Sequence, residues 1–368
     1  MIPRRSRSAL AVGAMLALLC LTACVTGCAP GEGPIEEPSG EPGFPILTGE
    51  YLGQTPPARQ AELFAPGIVS TGMHTRDVAM TPDGREIYFG TIIGGLSVIL
   101  ETKLVNGQWM RPEVAPFAAD PASLELEPAI SPDGEHFYFL STRPPAGTEP
   151  DPADFGRWVN QDIWVMDREE AGWGEPYNLG PPVNTDAPEF FPSVTRDGTM
   201  YFTREDPETR ASEIWRARRL ADGDGDGEGY AEPEKLGPRV NSGGDQYNAF
   251  IAPDESYLIV CTAGREDSVG GSDYYVVFRD SEDNWSEPIN LGEEINTPGG
   301  EWSPYVSPDG RYFFFMSPRS PAAESHPARL TSEYLKELHN RSPNGDAAIY
   351  WIDASVIEEL RPAAGGTD

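Results

Sequence analysis

A phrase of the type Ser/Thr-Pro-Asp-Gly recurs five times along the chain, and this repeat constrains the fold more than any other feature. Proline fixes φ, aspartate bonds back to the turn backbone and glycine adopts a positive φ, so each copy predicts a tight turn between two strands. The copies are Thr81-Pro-Asp83-Gly84, Ser131-Pro-Asp133-Gly134, Thr195-Arg-Asp197-Gly198, Ala252-Pro-Asp254-Glu255 and Ser307-Pro-Asp309-Gly310. Their aspartates are 50, 64, 57 and 55 residues apart, which indicates one structural unit per copy.

Each turn is followed by a run of aromatic and aliphatic residues and then by a second recurring phrase. The runs begin at Glu86, His136, Met200, Tyr257 and Tyr312. In the second phrase an aromatic residue stands three positions before a proline, at Trp109, Trp173, Tyr230 and Trp285. Three copies continue into Leu-Gly and then Val-Asn or Ile-Asn, ending at Asn184, Asn241 and Asn296. Further strand-like runs lie between the two phrases, so each repeat provides four strands, as in a propeller blade.

These repeats resemble the Pro-Asp-Gly class of WD-like propeller repeats, best known from the TolB propeller and found in many bacterial envelope proteins. The similarity covers roughly residues 60–355. It departs from the pattern in the first repeat, where residues 90–95 read GTIIGG, and in the fourth, where Glu255 replaces glycine. The resemblance implies an all-β propeller, and because such propellers serve many functions it implies no particular activity.

The two ends of the repeat region predict how the ring closes. The last repeat stops after its third strand, near Asp353, and residues 61–66 (AELFAP) stand where a fourth strand belongs. An N-terminal strand that completes the last blade leaves no free sheet edge. We therefore expect a β-propeller of five four-stranded blades over residues 51–361, followed by a disordered tail at 362–368. Six blades, as in TolB itself, would require a repeat that is not visible in the sequence.

Residues 1–23 have the features of a bacterial lipoprotein signal peptide. Three arginines between positions 4 and 7 precede an apolar run of 15 residues, which is short for a membrane span. The run ends in the tetrapeptide LTAC, which resembles the junction at which lipoproteins are cleaved and their cysteine, here Cys24, is acylated. Cys28 is a weaker second candidate, and an ordinary secretory signal is the alternative.

Lipidation at Cys24 predicts a protein anchored to the cell envelope. Val25 stands where aspartate retains lipoproteins in the inner membrane of enteric bacteria, so we expect the outer membrane, facing the periplasm or the cell surface. Residues 24–50 are rich in proline, glycine and glutamate and predict a flexible tether. With Cys24 acylated, no framework of paired cysteines remains, and Cys261, inside an apolar run, is expected to be a buried strand residue.

The charge balance disfavours two classes of partner. The chain carries 27 basic and 59 acidic residues, a net charge of −32. Removing residues 1–23 leaves 24 basic against 59 acidic residues, a net charge of −35. Such a surface repels phosphate backbones and anionic headgroups, which disfavours nucleic-acid binding and basic docking to a membrane.

Residues at fixed distances before each turn aspartate are expected to share one mouth of the propeller channel, because every inner strand runs down to its turn. Eight residues before the aspartates stand Thr75, Glu125, Glu189, Gln246 and Glu301. Six residues before them stand Asp77, Glu127, Phe191, Asn248 and Ser303. The second strands end at the same mouth with Arg143, Arg204, Arg265 and Arg319.

Acidic residues and arginines thus meet at one mouth, and three interpretations remain open. The predicted binding residues are Glu125, Glu127, Arg143, Glu189, Arg204, Gln246, Arg265, Glu301 and Arg319. They form ion pairs between blades that hold the fold, they bind a polar ligand or a partner's side chain, or two carboxylates form a catalytic pair as in five-bladed glycosidases.

The same face carries the longest insertions, at 144–161 and 320–345. In the second, Thr331 can cap a helix whose apolar stripe is Leu330, Tyr334, Leu335 and Leu338, and this stripe is expected to pack on the blade. On the opposite face, Asp222, Asp224 and Asp226 have the spacing of a calcium loop, but Pro233 stands where the bidentate glutamate belongs, which favours a flexible acidic turn.

Other catalytic constellations are missing from the sequence. The histidines, at 74, 136, 326 and 339, lack metal-ligand spacing, and there is no Gly-x-Ser-x-Gly motif or phosphate loop. We expect a monomeric binding platform without a cofactor, whose partner is an envelope protein or a cell-wall or exported glycan. A glycan-active hydrolase or lyase using channel carboxylates is the alternative.

Overall fold

A computed structural model describes residues 43–144, 147–148, 151–220, 229–322 and 325–362. The chain is all-β and forms a β-propeller of five four-stranded antiparallel blades, as the five repeats predict. Each inner strand neighbours the inner strands of the two adjacent blades, which closes the ring. The top face is the one at which inner strands begin, and the bottom face is the one that carries the Pro-Asp-Gly turns.

The strands are numbered in chain order, starting with β1 (Glu62–Leu63). Blade 1 is β2 (His74–Met80), β3 (Glu86–Ile93), β4 (Leu96–Val105) and an outer strand in two pieces, β5 (Gln108–Trp109) and β6 (Glu113–Val114). Blade 2 is β7 (Glu125–Ile130), β8 (His136–Ser141), β9 (Asp162–Glu169), β10 (Gly172–Trp173) and β11 (Tyr177–Asn178). Blade 3 is β12 (Glu189–Val194), β13 (Met200–Glu205), β14 (Ser212–Ala217) and β15 (Glu234–Lys235). Blade 4 is β16 (Asp245–Ile251), β17 (Tyr257–Ala263), β18 (Ser272–Phe278) and β19 (Ile289–Asn290). Blade 5 is β20 (Trp302–Val306), β21 (Tyr312–Ser317) and β22 (Ala348–Asp353), completed by β1. The helices described are α1 (Ser332–His339) and α2 (Ser355–Glu358), with 3-10 turns at Tyr51–Gly53, Pro116–Ala118 and Pro152–Asp154.

The recurring turns have the hydrogen bonds that their residues predict. In blade 1, Asp83 Oδ1 accepts from Thr81 Oγ1 at 2.7 Å and from the Arg85 amide at 3.1 Å, and Gly84 has φ +66°. Glu255, which replaces glycine in blade 4, adopts the same left-handed conformation with φ +58°. Its carboxylate accepts from Tyr201 Oη at 2.8 Å and pairs with Arg279, and these contacts hold the side chain at this turn.

The ring closes through the N-terminal strand, which confirms the expectation for residues 61–66. Strand β1 pairs with β22 in register Glu62 to Trp351 and Leu63 to Tyr350. Phe64 is fully buried and lies edge-on to Phe314 and Trp351, at 5.0 and 5.2 Å between ring centroids. Five blades therefore close without a further repeat.

The hydrophobic core lies between neighbouring blades, as successive clusters around the ring. The largest fully buried side chains are aromatic residues of the second and third strands, such as Tyr88, Phe137 and Trp351. Cys261 in β17 is fully buried as a free thiol in one of these clusters, as predicted for a strand residue.

The chain before β1 packs along the bottom face between blades 5 and 1. Tyr51 Oη donates to Asp309 Oδ2 at 2.7 Å, and Trp109 Nε1 donates to the Gly49 carbonyl at 2.7 Å. Glu50 pairs with Arg311 at 2.7 Å. The residues from Gly49 to Tyr51 therefore lie against the propeller, next to the turn of blade 5.

The asparagine that ends the second phrase fastens the loop leading to the next inner strand. Asn184 accepts from the Ile163 amide at 3.0 Å and donates to the Ile163 carbonyl at 2.8 Å. Asn241 and Asn296 make the same two bonds with Ile214 and Tyr274. Because an amide side chain offers a donor and an acceptor, it substitutes for one residue of a neighbouring strand.

Candidate functional site at the top mouth

The five residues that stand eight positions before the turn aspartates lie within one residue of the starts of the inner strands, at the top face. All five side chains are buried, with at most 3% of their surface exposed: Thr75, Glu125, Glu189, Gln246 and Glu301. The three glutamates are therefore enclosed at the seams between blades and do not present their carboxylates to solvent.

The glutamates are held by hydrogen bonds and by arginines of their own blade. Glu125 Oε1 accepts from Ser123 Oγ at 2.8 Å and from Ser141 Oγ at 3.1 Å, with Arg143 Nε at 3.3 Å. Glu189 Oε1 accepts from Arg204 Nε at 2.8 Å. The expected ion pairing between blades is wrong for these two pairs, since each joins the inner and second strands of one blade.

In blades 4 and 5 the mouth arginine does not pair with the residue that stands eight positions before the turn aspartate. Glu301 Oε1 accepts from Thr297 Oγ1 at 2.5 Å and from Ser317 Oγ at 3.1 Å, and Arg319 donates to the Ser317 hydroxyl, at 3.3 Å, instead of to this carboxylate. In blade 4 the equivalent residue is Gln246, which carries no charge, and Arg265 pairs with Asp267 at 2.9 Å.

The four mouth arginines share a second role, because each donates to a backbone carbonyl of the loop that enters its inner strand. These bonds are Arg143 to Phe117, Arg204 to Val183 at 2.8 Å, Arg265 to Ser242 at 3.4 Å, and Arg319 to Ile295 at 2.8 Å. Each guanidinium also lies over an aromatic ring of the third strand, at 5.3 Å for Trp164, 4.6 Å for Trp215, 4.8 Å for Tyr275 and 5.0 Å for Tyr350. Arginine suits both contacts with its planar fork of donors and its polarisable face. These side chains stiffen the loops of the top face.

Burial sets the ionisation of the mouth carboxyls. It raises the pKa of Glu125 to about 7, although Arg143 and two serine hydroxyls favour the charged form. Burial also raises the pKa values of Glu189 and Glu301, against the hydrogen bonds from Thr185 and Thr297. Glu125 Oε2 and Glu301 Oε2 have no hydrogen-bond partner among the described residues, and such a buried, unpaired oxygen disfavours the charged form of the carboxyl.

The residues six positions before the turn aspartates form a collar around the channel, with one residue from each blade. The collar residues are Asp77, Glu127, Phe191, Asn248 and Ser303, and their φ values are +55°, +59°, +51°, +51° and +62°. Each lies at a β-bulge between the inner and second strands. A left-handed backbone at a residue other than glycine costs energy, so five copies at one level require strong support from their surroundings.

That support is a belt of hydrogen bonds from blade to blade. Ser303 Oγ donates to Asp77, the Glu127 amide donates to Asp77 Oδ2 at 3.2 Å, and the Phe191 amide donates to Glu127 Oε2 at 2.8 Å. The belt ends at Phe191, because its side chain offers no acceptor to the next blade. The backbone amide of Asn248 donates instead to Thr203 Oγ1, at 3.0 Å.

The sequence analysis missed Arg76, the cation of the collar. Its Nε donates to Asp77 Oδ1 at 3.0 Å and its Nη2 to Glu127 Oε1 at 2.8 Å, with the side chain 12% exposed. Burial raises the pKa of Glu127, and the Arg76 charge opposes this. The sequence did contain a signal for this residue, because Arg76 is the one charged residue among the five that stand seven positions before the turn aspartates. The other four are Leu126, Phe190, Tyr247 and Trp302.

Exposed apolar side chains occur on the loops of the top face. Six of the eleven large apolar side chains that are exposed within the described residues lie there, with 36–57% of their surface exposed: Ile93, Phe155, Trp158, Val269, Leu330 and Leu335. Thr331 caps α1 by accepting from the Tyr334 amide at 3.1 Å, as predicted. The apolar stripe of α1 is only partly covered, since Leu330 and Leu335 are exposed while Tyr334 and Leu338 are half-buried.

The calcium-loop residues Asp222, Asp224 and Asp226 lie outside the described residues. In the part of the chain that is described, no group of three or more His, Cys, Asp and Glu side chains is arranged to hold a metal ion. In the same ranges, no helix is long and apolar enough to cross a membrane.

Several solved propellers are similar to this chain in fold. TolB from Acinetobacter baumannii is 15% identical with a TM-score of 0.41, over 77% of this chain and 57% of that protein, so this chain spans little more than half of it. A putative TolB from Agrobacterium tumefaciens is 16% identical with a TM-score of 0.42, over 76% of this chain and 90% of that one. Arabinanase Arb43A from Bacillus subtilis is 12% identical with a TM-score of 0.43, over 76% and 93%. No family model and no curated protein matches the chain. Similarity at this level transfers no activity.

Proposed function

We propose that this chain is a lipoprotein of the cell envelope, anchored through Cys24, whose propeller is a non-catalytic binding platform for an envelope protein or a glycan. The partner contacts the top face. The observation that carries this proposal is the set of exposed apolar side chains on the top-face loops, beside a mouth whose carboxylates are buried. Apolar surface exposed on one face is typical of a binding surface.

The mouth residues act in this proposal by holding the binding loops. Glu125, Glu189 and Glu301 anchor the starts of inner strands, while the four mouth arginines clamp the loops that enter them. Loops on a rigid scaffold bind with less loss of conformational entropy than free ones. Gln246 and Glu127 belong to the same support, the first at the start of its strand and the second in the collar.

A glycan-active hydrolase or lyase is the second candidate, favoured by the raised pKa values of Glu125 and Glu127. A general acid in glycoside hydrolysis requires such a carboxyl. The burial of both residues ranks this candidate below the platform, because a sugar has to reach its acid. Cleavage of a cell-wall or exported polysaccharide by the purified protein, lost in Glu125→Gln, would reverse the ranking.

The top face is tested by a photocrosslinking residue placed in cells at position 158 or 335. Both positions are exposed on top-face loops, at Trp158 and Leu335. We expect both to crosslink the same partner. Val105 and Met110 are the matched controls, since they are similarly exposed apolar side chains on blade 1, outside these loops. Equal crosslinking of that partner at the control positions would contradict a top-face platform.

Lipid anchoring is tested by replacing the cysteine at the predicted junction. We expect the Cys24→Ser variant to lose metabolic labelling with a fatty acid and to leave the membrane fraction, because burial of acyl chains supplies the membrane affinity. Cys28→Ser is the matched control and should keep both properties. Labelling that persists in Cys24→Ser and is lost in Cys28→Ser would move the anchor to the second cysteine.

A further inference from the structure

A partly open cavity of about 170 Å³ lies in the channel between the collar and the bottom face. All five blades contribute to it, and part of its wall is a ring of apolar residues three positions before the turn aspartates: Met80, Ile130, Val194, Ile251 and Val306. Polar residues line the rest, and a cavity of this size has room for one guest of the dimensions of benzene. The channel therefore has room for one apolar stem.

The inner end of this cavity is rich in hydrogen-bond acceptors. Asp77, Glu127 and Ser303 of the collar line it, and Arg76 supplies one positive charge against the two carboxylates. The Ser303 hydroxyl, which donates to Asp77, keeps acceptor capacity on its oxygen. A guest whose head donates several hydrogen bonds suits this end better than one that accepts them.

The bottom mouth adds negative charge where a guest would enter. The turn aspartates Asp83, Asp133, Asp197, Asp254 and Asp309 are all exposed there, one from each blade. Burial acts to raise the pKa values of Asp133, Asp197, Asp254 and Asp309, but hydrogen bonds from the turns outweigh it and keep these pKa values below the usual range. With Glu135, these carboxylates outnumber the turn guanidiniums of Arg85, Arg196 and Arg311. The aspartates surround the mouth without lining the cavity itself, which Arg196 does line.

We propose that the channel binds a primary alkylammonium group that enters through the bottom mouth. The alkyl stem of this guest lies inside the ring of apolar residues, and its ammonium lies at the collar. The lysine side chain is this chemistry in a protein partner, and a free alkylamine is its soluble form. Ionised aspartates attract the cation to the mouth, and the low-dielectric wall focuses that attraction. An ammonium brings three donors and one positive charge to Asp77, Glu127 and the Ser303 hydroxyl, which line the cavity, and charge-assisted hydrogen bonds are the strong ones. This site lies opposite the platform proposed above and is independent of it.

The test compares three ligands with one stem, butylammonium, butanol and butyrate, on the purified full-length protein. The reporter is the ¹³C-methyl NMR signal of Met80, whose side chain lines the cavity, assigned with Met80→Leu. We expect butylammonium to shift this signal with at least about tenfold higher affinity than butanol, and butyrate to leave it unchanged. A capped Gly-Lys-Gly peptide that shifts the signal identifies a lysine partner, and a shift by butylammonium alone identifies a free amine.

Substitutions at the collar separate the proposed site from weak binding elsewhere. Glu127→Gln should abolish the preference for butylammonium over butanol, and Asp77→Asn provides the second test if the first variant does not fold. Asp273→Asn is the matched control, because Asp273 is a fully buried carboxylate of blade 4 outside the cavity, and it should keep the preference. No shift of Met80 by butylammonium, equal shifts by butanol, or an unchanged preference in both collar variants would overturn the proposal.

Discussion

Replacing Arg76 with methionine is expected to lower the free energy of unfolding by about 3–5 kcal/mol, as when one partner is removed from a buried charge pair. Methionine retains apolar bulk but leaves Asp77 and Glu127 buried without their cation. The belt of hydrogen bonds that joins blades 5, 1, 2 and 3 runs through these two carboxylates, so the loss affects the whole ring. Equilibrium unfolding in denaturant measures it.

An exposed ion pair provides the control for this experiment. Arg59 pairs with Glu359, and their side chains are 60% and 51% exposed. Arg59→Met should cost no more than about 1 kcal/mol, because solvent screens such pairs. Adding Asp77→Asn and Glu127→Gln to Arg76→Met should recover part of the loss, since neutral amides carry a smaller desolvation cost than carboxylates. Equal costs for Arg76→Met and Arg59→Met would show that the collar charges are not structurally important.

The protein is expected to be more stable at pH 5.5 than at pH 7.5, with about 2 kcal/mol of the difference due to Glu125 alone. Burial raises the pKa of this carboxyl from 4.5 in the unfolded chain to about 7 in the fold. The folded state therefore holds the proton more tightly than the unfolded state. Its stabilisation is complete below the unfolded pKa and is lost as the pH rises through 7. Unfolding free energies measured across this range give the slope.

Glu125→Gln isolates this contribution, because glutamine mimics the protonated carboxyl and does not titrate. Its unfolding free energy should depend less on pH between 5.5 and 7.5 than that of the parent protein. Glu113→Gln, at an exposed position in β6, is the matched control and should leave the slope unchanged. The histidines are the same in all three proteins, so their titration cancels in the comparison. Identical slopes for Glu125→Gln and the parent would contradict a proton held at this site.

The fold followed from local and repeated chemistry. Each turn is specified within about five residues by proline, aspartate and glycine, and five copies at similar spacing specify five blades. The missing fourth strand of the last repeat and the apolar stretch at 61–66 together predicted the closing strand, which pairs as β1 with β22. The exception at Glu255 was also visible, although its partner Arg279 was not.

The candidate site followed only in outline. Counting positions before each turn located Glu125, Glu189 and Glu301 at the right end of their strands, but it did not reveal that their side chains are enclosed between blades. The apolar stripe of α1 has the period of a packed helix, and only the tertiary structure shows that Leu335 is exposed while Tyr334 and Leu338 are half-buried. Period alone indicates a face of a helix and does not specify what covers that face.

By itself, the sequence determined the number of blades, the turns and the closing strand, because these depend on residues adjacent along the chain or repeated at a regular spacing. Only the tertiary structure decided which polar groups meet. Ring closure brings Ser303 to Asp77, 226 positions apart, and sets Arg76 between two carboxylates. The same closure buries the mouth glutamates and encloses the channel. Burial and charge at such distances depend on the packing of all five blades, and no single repeat contains that information.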